Sequence, residues 1–253
     1  MAPEPGPARE MARADFTIQG ESFRLAFRVT VPAGLAQQRD LLPVARALSD
    51  AVVGETGKAL EAAGEPIACT RGCAACCRNL IALSEVEARR LRELVLQLPE
   101  PRRAALQARF AEARERADSA GLLQKLQAAD QWTEADYAAL VRTYFDEQIA
   151  CPFLEAEACS IYAERPIACR EYLVTSPAAH CARPGSEGVR RVRLPLPIFN
   201  AVARWQVPPQ GHFLESWVPL ILALEWAEAH PDDPPPKPGL QLLQELLVTL
   251  NDR

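Results

Sequence analysis

Residues Cys69 to Cys77 read CTRGCAACC, four cysteines in nine positions with the last two adjacent. Four more follow at Cys151, Cys159, Cys169 and Cys181, and there is none in the first 68 or the last 72 residues. The reading of the short stretch decides the fold. A disulfide staple, a zinc knuckle and an iron-sulfur loop each ask something different of the chain around it.

Working outward, the chain has 253 residues, 49% of them hydrophobic, so a sizeable core can form without covalent staples. A formal net charge of -5 with 24% charged residues describes an ordinary polar surface. It supplies no global field for nucleic acid or an anionic membrane. The N-terminus, MAPEPGPAREMARADF, lacks the apolar core of a secretory signal and reads as a disordered tail over 1–14 of a cytoplasmic protein. The longest apolar stretch, WVPLILALEWA, is too short to span a bilayer and is interrupted by Pro219 and Glu225. In a reducing cytosol, clustered thiols more often hold metal than form disulfides.

Hydrophobic periodicity outlines the elements. Residues 15–33 alternate apolar and polar at period two about Gly20 and predict a β-hairpin. Residues 40–63 predict a helix with Pro43 in its first turn. Ser84 with Glu87, and Thr133 with Asp136, have capping-box spacing and open two further helices, with 102–129 helical between them and a break near Gly121. Three helical segments thus separate the cysteine groups. Residues 151–181 show no sustained period and read as turns and short strands. VRRVRLPL suggests a strand, and helices are expected at 197–205, 214–229 and 240–250, the last after the stiff proline-rich HPDDPPPKPG. Together these predict one mainly helical α+β domain over 15–253, with an N-terminal hairpin, a helical bundle and an irregular cysteine-rich metal-binding region at 67–183.

The first cluster is spaced C-x3-C-x2-C-C and the second C-x7-C-x9-C-x11-C. Close spacing lets one turn of backbone aim several thiolates at one centre. Cys69, Cys73, Cys76, Cys77, Cys151, Cys159, Cys169 and Cys181 are therefore candidate metal ligands, and zinc, iron-sulfur and copper(I) all suit thiolate. The side chains of neighbours such as Cys76 and Cys77 diverge, which suggests that one of them serves a different centre. Arg71, Arg78, Arg165, Arg170 and Arg183 lie near cysteines, where guanidinium could donate to sulfur or simply be solvated. Gly72 would let the loop turn, His180 is a candidate ligand or an exposed loop residue, and Tyr162 and Tyr172 would pack over the metal region. Glu155, Glu157 and Asp146 read as surface carboxylates.

C-x-x-G-C-x-x-C-C-R followed by C-P-F-L, C-S-I-Y-x-x-R-P and C-R-x-Y resembles the YkgJ-like cysteine-cluster family, also called CxxCxxCC, a zinc- or iron-chelating domain. One more residue separates Cys69 from Cys73 than that name implies. The likeness runs from about 67 to 181 and implies metal chelation through the first seven cysteines, with Cys181 as a trailing one.

Alternatives stay open. Cys69, Cys73 and Cys76 also have the spacing that holds a [4Fe-4S] cofactor in radical S-adenosylmethionine enzymes, though Ala75 stands where those place an aromatic residue. An iron-sulfur methyl-transfer enzyme or accessory is a related reading. A third is a zinc-stapled module for an unidentified protein partner, with Trp205, Trp217 and Trp226 as surface or, at this spacing, core. VRRVR is the only nucleic-acid hint and too small a patch to carry that role. With no Walker sequence, G-x-G-x-x-G or H-E-x-x-H, no catalytic residue is assigned.

Overall fold

The computed structural model describes residues 9–20, 23–128, 133–182, 188–205 and 217–251. The period-two segment forms strands β1 (Met11–Gln19) and β2 (Arg24–Pro32), an antiparallel hairpin with the rings of Phe16 and Phe27 stacked at 5.4 Å. Pairing begins at Met11 opposite Pro32, so residues 11–14 are strand where the sequence suggested tail. One face of the hairpin covers a core of Val29, Val31, Leu41, Leu48, Ile198 and Leu246. β3 (Leu35–Ala36) then leads into α1 (Leu42–Ala62), which takes Pro43 in its first turn, where the missing N–H costs nothing.

After the first cysteine cluster come β4 (Ala82–Ser84) and α2 (Glu85–Leu96). Ser84 caps α2, and Glu87 returns a hydrogen bond to the Ser84 backbone. α3 (Glu100–Ser119), α4 (Leu123–Gln127) and α5 (Glu134–Asp146) follow, with Gly121 at φ +68 turning the chain between α3 and α4. Among the described residues α2 to α5 thus separate the cysteine groups, with the break near Gly121 dividing the expected 102–129 segment into α3 and α4. The second group lies on β5 (Leu154–Glu155), β6 (Ala158–Cys159) and α6 (Ile167–Glu171).

The C-terminal part holds α7 (Ile198–Arg204), β7 (Trp217–Pro219), α8 (Ala223–Ala229), β8 (Lys237–Pro238) and α9 (Gly239–Asn251). Trp217–Pro219, expected in a helix, instead pairs antiparallel with β4, and 214–216 lie outside the described residues. VRRVRLPL contributes a single bridge, Val174 to Arg191, rather than a strand. α9 starts hard against the end of β2. A side chain on Gly239 would come within 2.1 Å of the Pro32 carbonyl oxygen, so only glycine fits. The four small antiparallel pairs among helices make a mainly helical α+β fold.

Two further cores support the cysteine region. Leu83, Leu91, Leu106, Phe110, Phe153 and Val218 form one, and Ala117, Leu126, Leu140, Tyr144, Ile149 and Leu222 the other. Trp205 is buried, while Trp217 and Trp226 are half-buried.

Polar ties hold α6. Glu87, 2% exposed, accepts hydrogen bonds from the Ile167 backbone N–H (2.7 Å) and from the Ser84 hydroxyl (2.8 Å). Arg170 grips both oxygens of Asp50 on α1 at 2.8 Å. Glu87→Ala would strand the Ile167 and Ser84 donors, and we expect it to lower the unfolding free energy by about 3 kcal/mol in urea titrations. Glu87→Gln, which keeps one acceptor oxygen, should cost about 1 kcal/mol.

Candidate metal centre

Both cysteine groups meet at one cavity of about 80 Å3. Room for one water needs roughly 10–15 Å3, so several atoms fit. Cys69, Cys73, Cys76, Cys77, Cys151, Cys159 and Cys169 line it, with Ile81, Phe153, Ile161, Leu173 and Leu220 as apolar wall. Cys181 is not in the lining but lies close enough that Cys69, Cys76 and Cys73 act on its thiol electrostatically, after burial. All eight cysteines are free thiols.

Local backbone explains the placement. Gly72, at φ +92, turns the first loop, and the Cys73 N–H closes the turn on the Thr70 carbonyl at 3.0 Å. Ala75–Arg78 form one 3-10 turn that carries Cys76 and Cys77. Their side chains hydrogen-bond each other and both line the cavity. The two groups are joined directly, with the Cys151 N–H donating to the Cys77 carbonyl at 2.7 Å.

Burial favours the neutral form of several of the thiols. Burial raises the pKa values of Cys69, Cys159 and Cys181, lifts Cys169 well above the ordinary value and pushes Cys151 up to about 12. The hydrogen bond with Cys77, then burial, raises Cys76 further. As a donor set, seven thiols around one small cavity fit a thiophilic metal. Among the described residues, no three Cys, His, Asp or Glu groups are already drawn together as a metal cage. The thiols share a cavity but would still have to close on an ion.

The other candidates sort by partner. Arg78 reaches Glu157 through both terminal nitrogens, at 2.8 and 3.2 Å, and Arg170 is tied to Asp50. Arg71 lies over the Tyr162 ring at 5.2 Å, whereas Arg165 lines the cavity and stacks on the same ring at 4.3 Å. Arg183 lies outside the described residues. His180 is exposed, and its Nδ1 meets the Gly188 carbonyl at 2.8 Å. Tyr162 and Tyr172 both line the cavity. Glu155 pairs with Arg109 and Arg102, and Glu157 with Arg78, as surface carboxylates do. Sequence reasoning saw Glu87 only as a cap and missed Glu171, whose carboxylate receives the N–H groups of Ile198 and Phe199 at the start of α7. Burial holds its carboxyl up at about 7, against the pull of those bonds.

Residues 68–184 match a family described as "CxxCxxCC: Putative zinc- or iron-chelating domain". The match to that family covers a little under half of the chain. It takes in all eight cysteines and helices α2 to α6, and leaves out the hairpin, α1 and the C-terminal helices. No curated protein and no solved structure matches the chain. Among the described residues no helix is long and apolar enough to cross a membrane.

The thiol environments give a reactivity order. Alkylation of the reduced, metal-free protein at pH 7.5, mapped by mass spectrometry, should label Cys76, Cys151 and Cys169 slowest. Their rates should fall roughly a hundredfold or more below that of an unhindered thiol, because the thiolate is the nucleophile.

Proposed function

We propose that this chain is a cytoplasmic metal-binding protein that chelates zinc or an iron-sulfur cluster through Cys69, Cys73, Cys76, Cys77, Cys151, Cys159, Cys169 and Cys181. The observation that carries the reading is the convergence of seven thiols from two distant stretches on one cavity. Zinc would complete a structural thiolate site; an iron-sulfur cluster would supply electron transfer or radical chemistry. The protein's own part is to supply sulfur ligands, keep water out with Ile81, Phe153 and Leu220, and fold the two groups together. Seven cavity thiols exceed the four of one closed zinc shell, which favours a second ion or a larger cluster.

Anaerobic purification, metal analysis and visible absorption test the reading. A colourless zinc protein or a brown one with iron and sulfide supports it, and the choice between them selects the role. Protein isolated with neither, whose eight thiols all titrate freely after incubation with zinc(II) or iron and sulfide, overturns it. Cys73→Ser should lower bound metal and the thermal midpoint together.

The raised thiol pKa values also fix a pH dependence. Each thiol that ligates must first lose its proton, so metal uptake releases one proton per ligating thiol. Apparent affinity for zinc(II) should then fall about tenfold per ligating thiol for each unit the pH drops below neutrality. Calorimetric titration in buffers of differing ionisation enthalpy counts those protons.

A further inference from the structure

Arg165 stands apart from the other arginines near the cysteines. It lines the cavity, yet its Nε is shut off from solvent and has no hydrogen-bond partner. Its backbone is fixed on both sides, because Pro166 follows it and its carbonyl accepts a hydrogen bond from Arg170 Nε at 3.1 Å. Its guanidinium plane is held on the face of Tyr162, itself part of the cavity wall. A guanidinium stays charged at any physiological pH and only donates, so a buried donor left unmade is costly. The cavity that Arg165 lines carries thiols of both cysteine groups.

A neutral thiol is a weak acceptor, whereas a thiolate or sulfide accepts strongly from a cation. We infer that Arg165 donates its buried Nε–H to a sulfur of the metal-loaded centre, orienting that sulfur and offsetting its charge. The inference rests on the metal-binding reading above and assigns Arg165 as a positioning residue of that site. Arg78 and Arg170 are already engaged, Arg78 pairing both terminal nitrogens with Glu157 and Arg170 donating to Asp50 and to the Ala163 and Arg165 carbonyls.

The test uses the full chain, prepared anaerobically and studied metal-free and loaded with zinc(II), as wild type, Arg165→Met, Arg165→Lys and Arg78→Met. Arg165→Met should speed transfer of zinc(II) to a competing chelator about 10–100-fold. Arg165→Lys, which keeps the charge but not the planar fork, should recover only part of that, and Arg78→Met should stay within twofold. The thermal midpoint should fall in the loaded Arg165→Met protein but hold or rise in the metal-free one, where an unmade donor has been removed. If the isolated protein instead carries iron and sulfide, Arg165→Met should make the cluster's midpoint potential more negative. Release or potential unchanged from wild type would show that Nε meets water and overturn the inference. Equal loss of midpoint in both states would overturn it in favour of a purely structural role. So would an equal effect of Arg78→Met, in favour of general charge. Wild-type protein that takes up neither metal fails the metal-binding reading itself and Arg165's role with it, whereas a loaded wild type beside unchanged variants fails only the role of Arg165.

Discussion

The carboxylate of Glu87 is the tie on which the cysteine region hangs. It is 2% exposed, yet it takes the Ser84 hydroxyl and backbone at the start of α2 and the Ile167 N–H at the start of α6. A buried carboxylate is tolerable only when its oxygens are satisfied, and these are. The five residues of α6 could not hold a helical turn alone, since so short a helix does not recover its nucleation cost. Glu87 fixes its first turn, Arg170 ties it to Asp50 on α1, and Glu171 ties its end to α7. Cys169 sits between these anchors, so its position is inherited from three helices and not from the loop around it.

That anchoring sets the electrostatics. Apolar side chains from β4's approach, the Phe153 turn and Leu220 wall the cavity, and the desolvation they impose keeps the thiols protonated. Closing on a cation would reverse that preference, because the cation's charge replaces the lost hydration. The same surroundings explain why nearby arginines differ so much. Where a carboxylate is in reach, as for Arg78 and Arg170, the guanidinium forms an ordinary ion pair. At Arg165 no hydrogen-bond acceptor among the described residues reaches Nε, and the cavity it lines carries seven thiols.

What could be read in the sequence was whatever is specified locally. The hairpin follows from strict alternation, and the starts of α2 and α5 from their capping boxes, because each signal spans only a few residues. Trp217–Pro219 misled because a short apolar run fits a helix or a buried strand equally, and only its pairing with β4 decides. Divergence between neighbours such as Cys76 and Cys77 assumes regular helix or strand, whereas a 3-10 turn beside a concave wall lets both line one cavity. The cysteine spacing showed the donor chemistry; it could not show a shared cavity, since the surfaces that form it come from segments far apart in the chain.

The bond from the Cys151 N–H to the Cys77 carbonyl joins the ends of a loop that contains all of residues 78–150. Closing so long a loop costs chain entropy, and a single backbone hydrogen bond offsets only about 1 kcal/mol of it. The remainder must come from packing α2, α3, α4 and α5 into the two cores beneath the cavity, one of which has Cys151 at its margin. The core under the hairpin contains no cysteine and draws on α1, α7 and α9. Of the three cores, the one under the hairpin meets the cysteine region through α6 by way of Ile167, whereas the one with Phe153 and Leu220 shares the cavity wall with the thiols. Any ion drawn to those sulfurs acts first on the shared wall, and through it on the packing of the helical excursion that brought the two cysteine groups together.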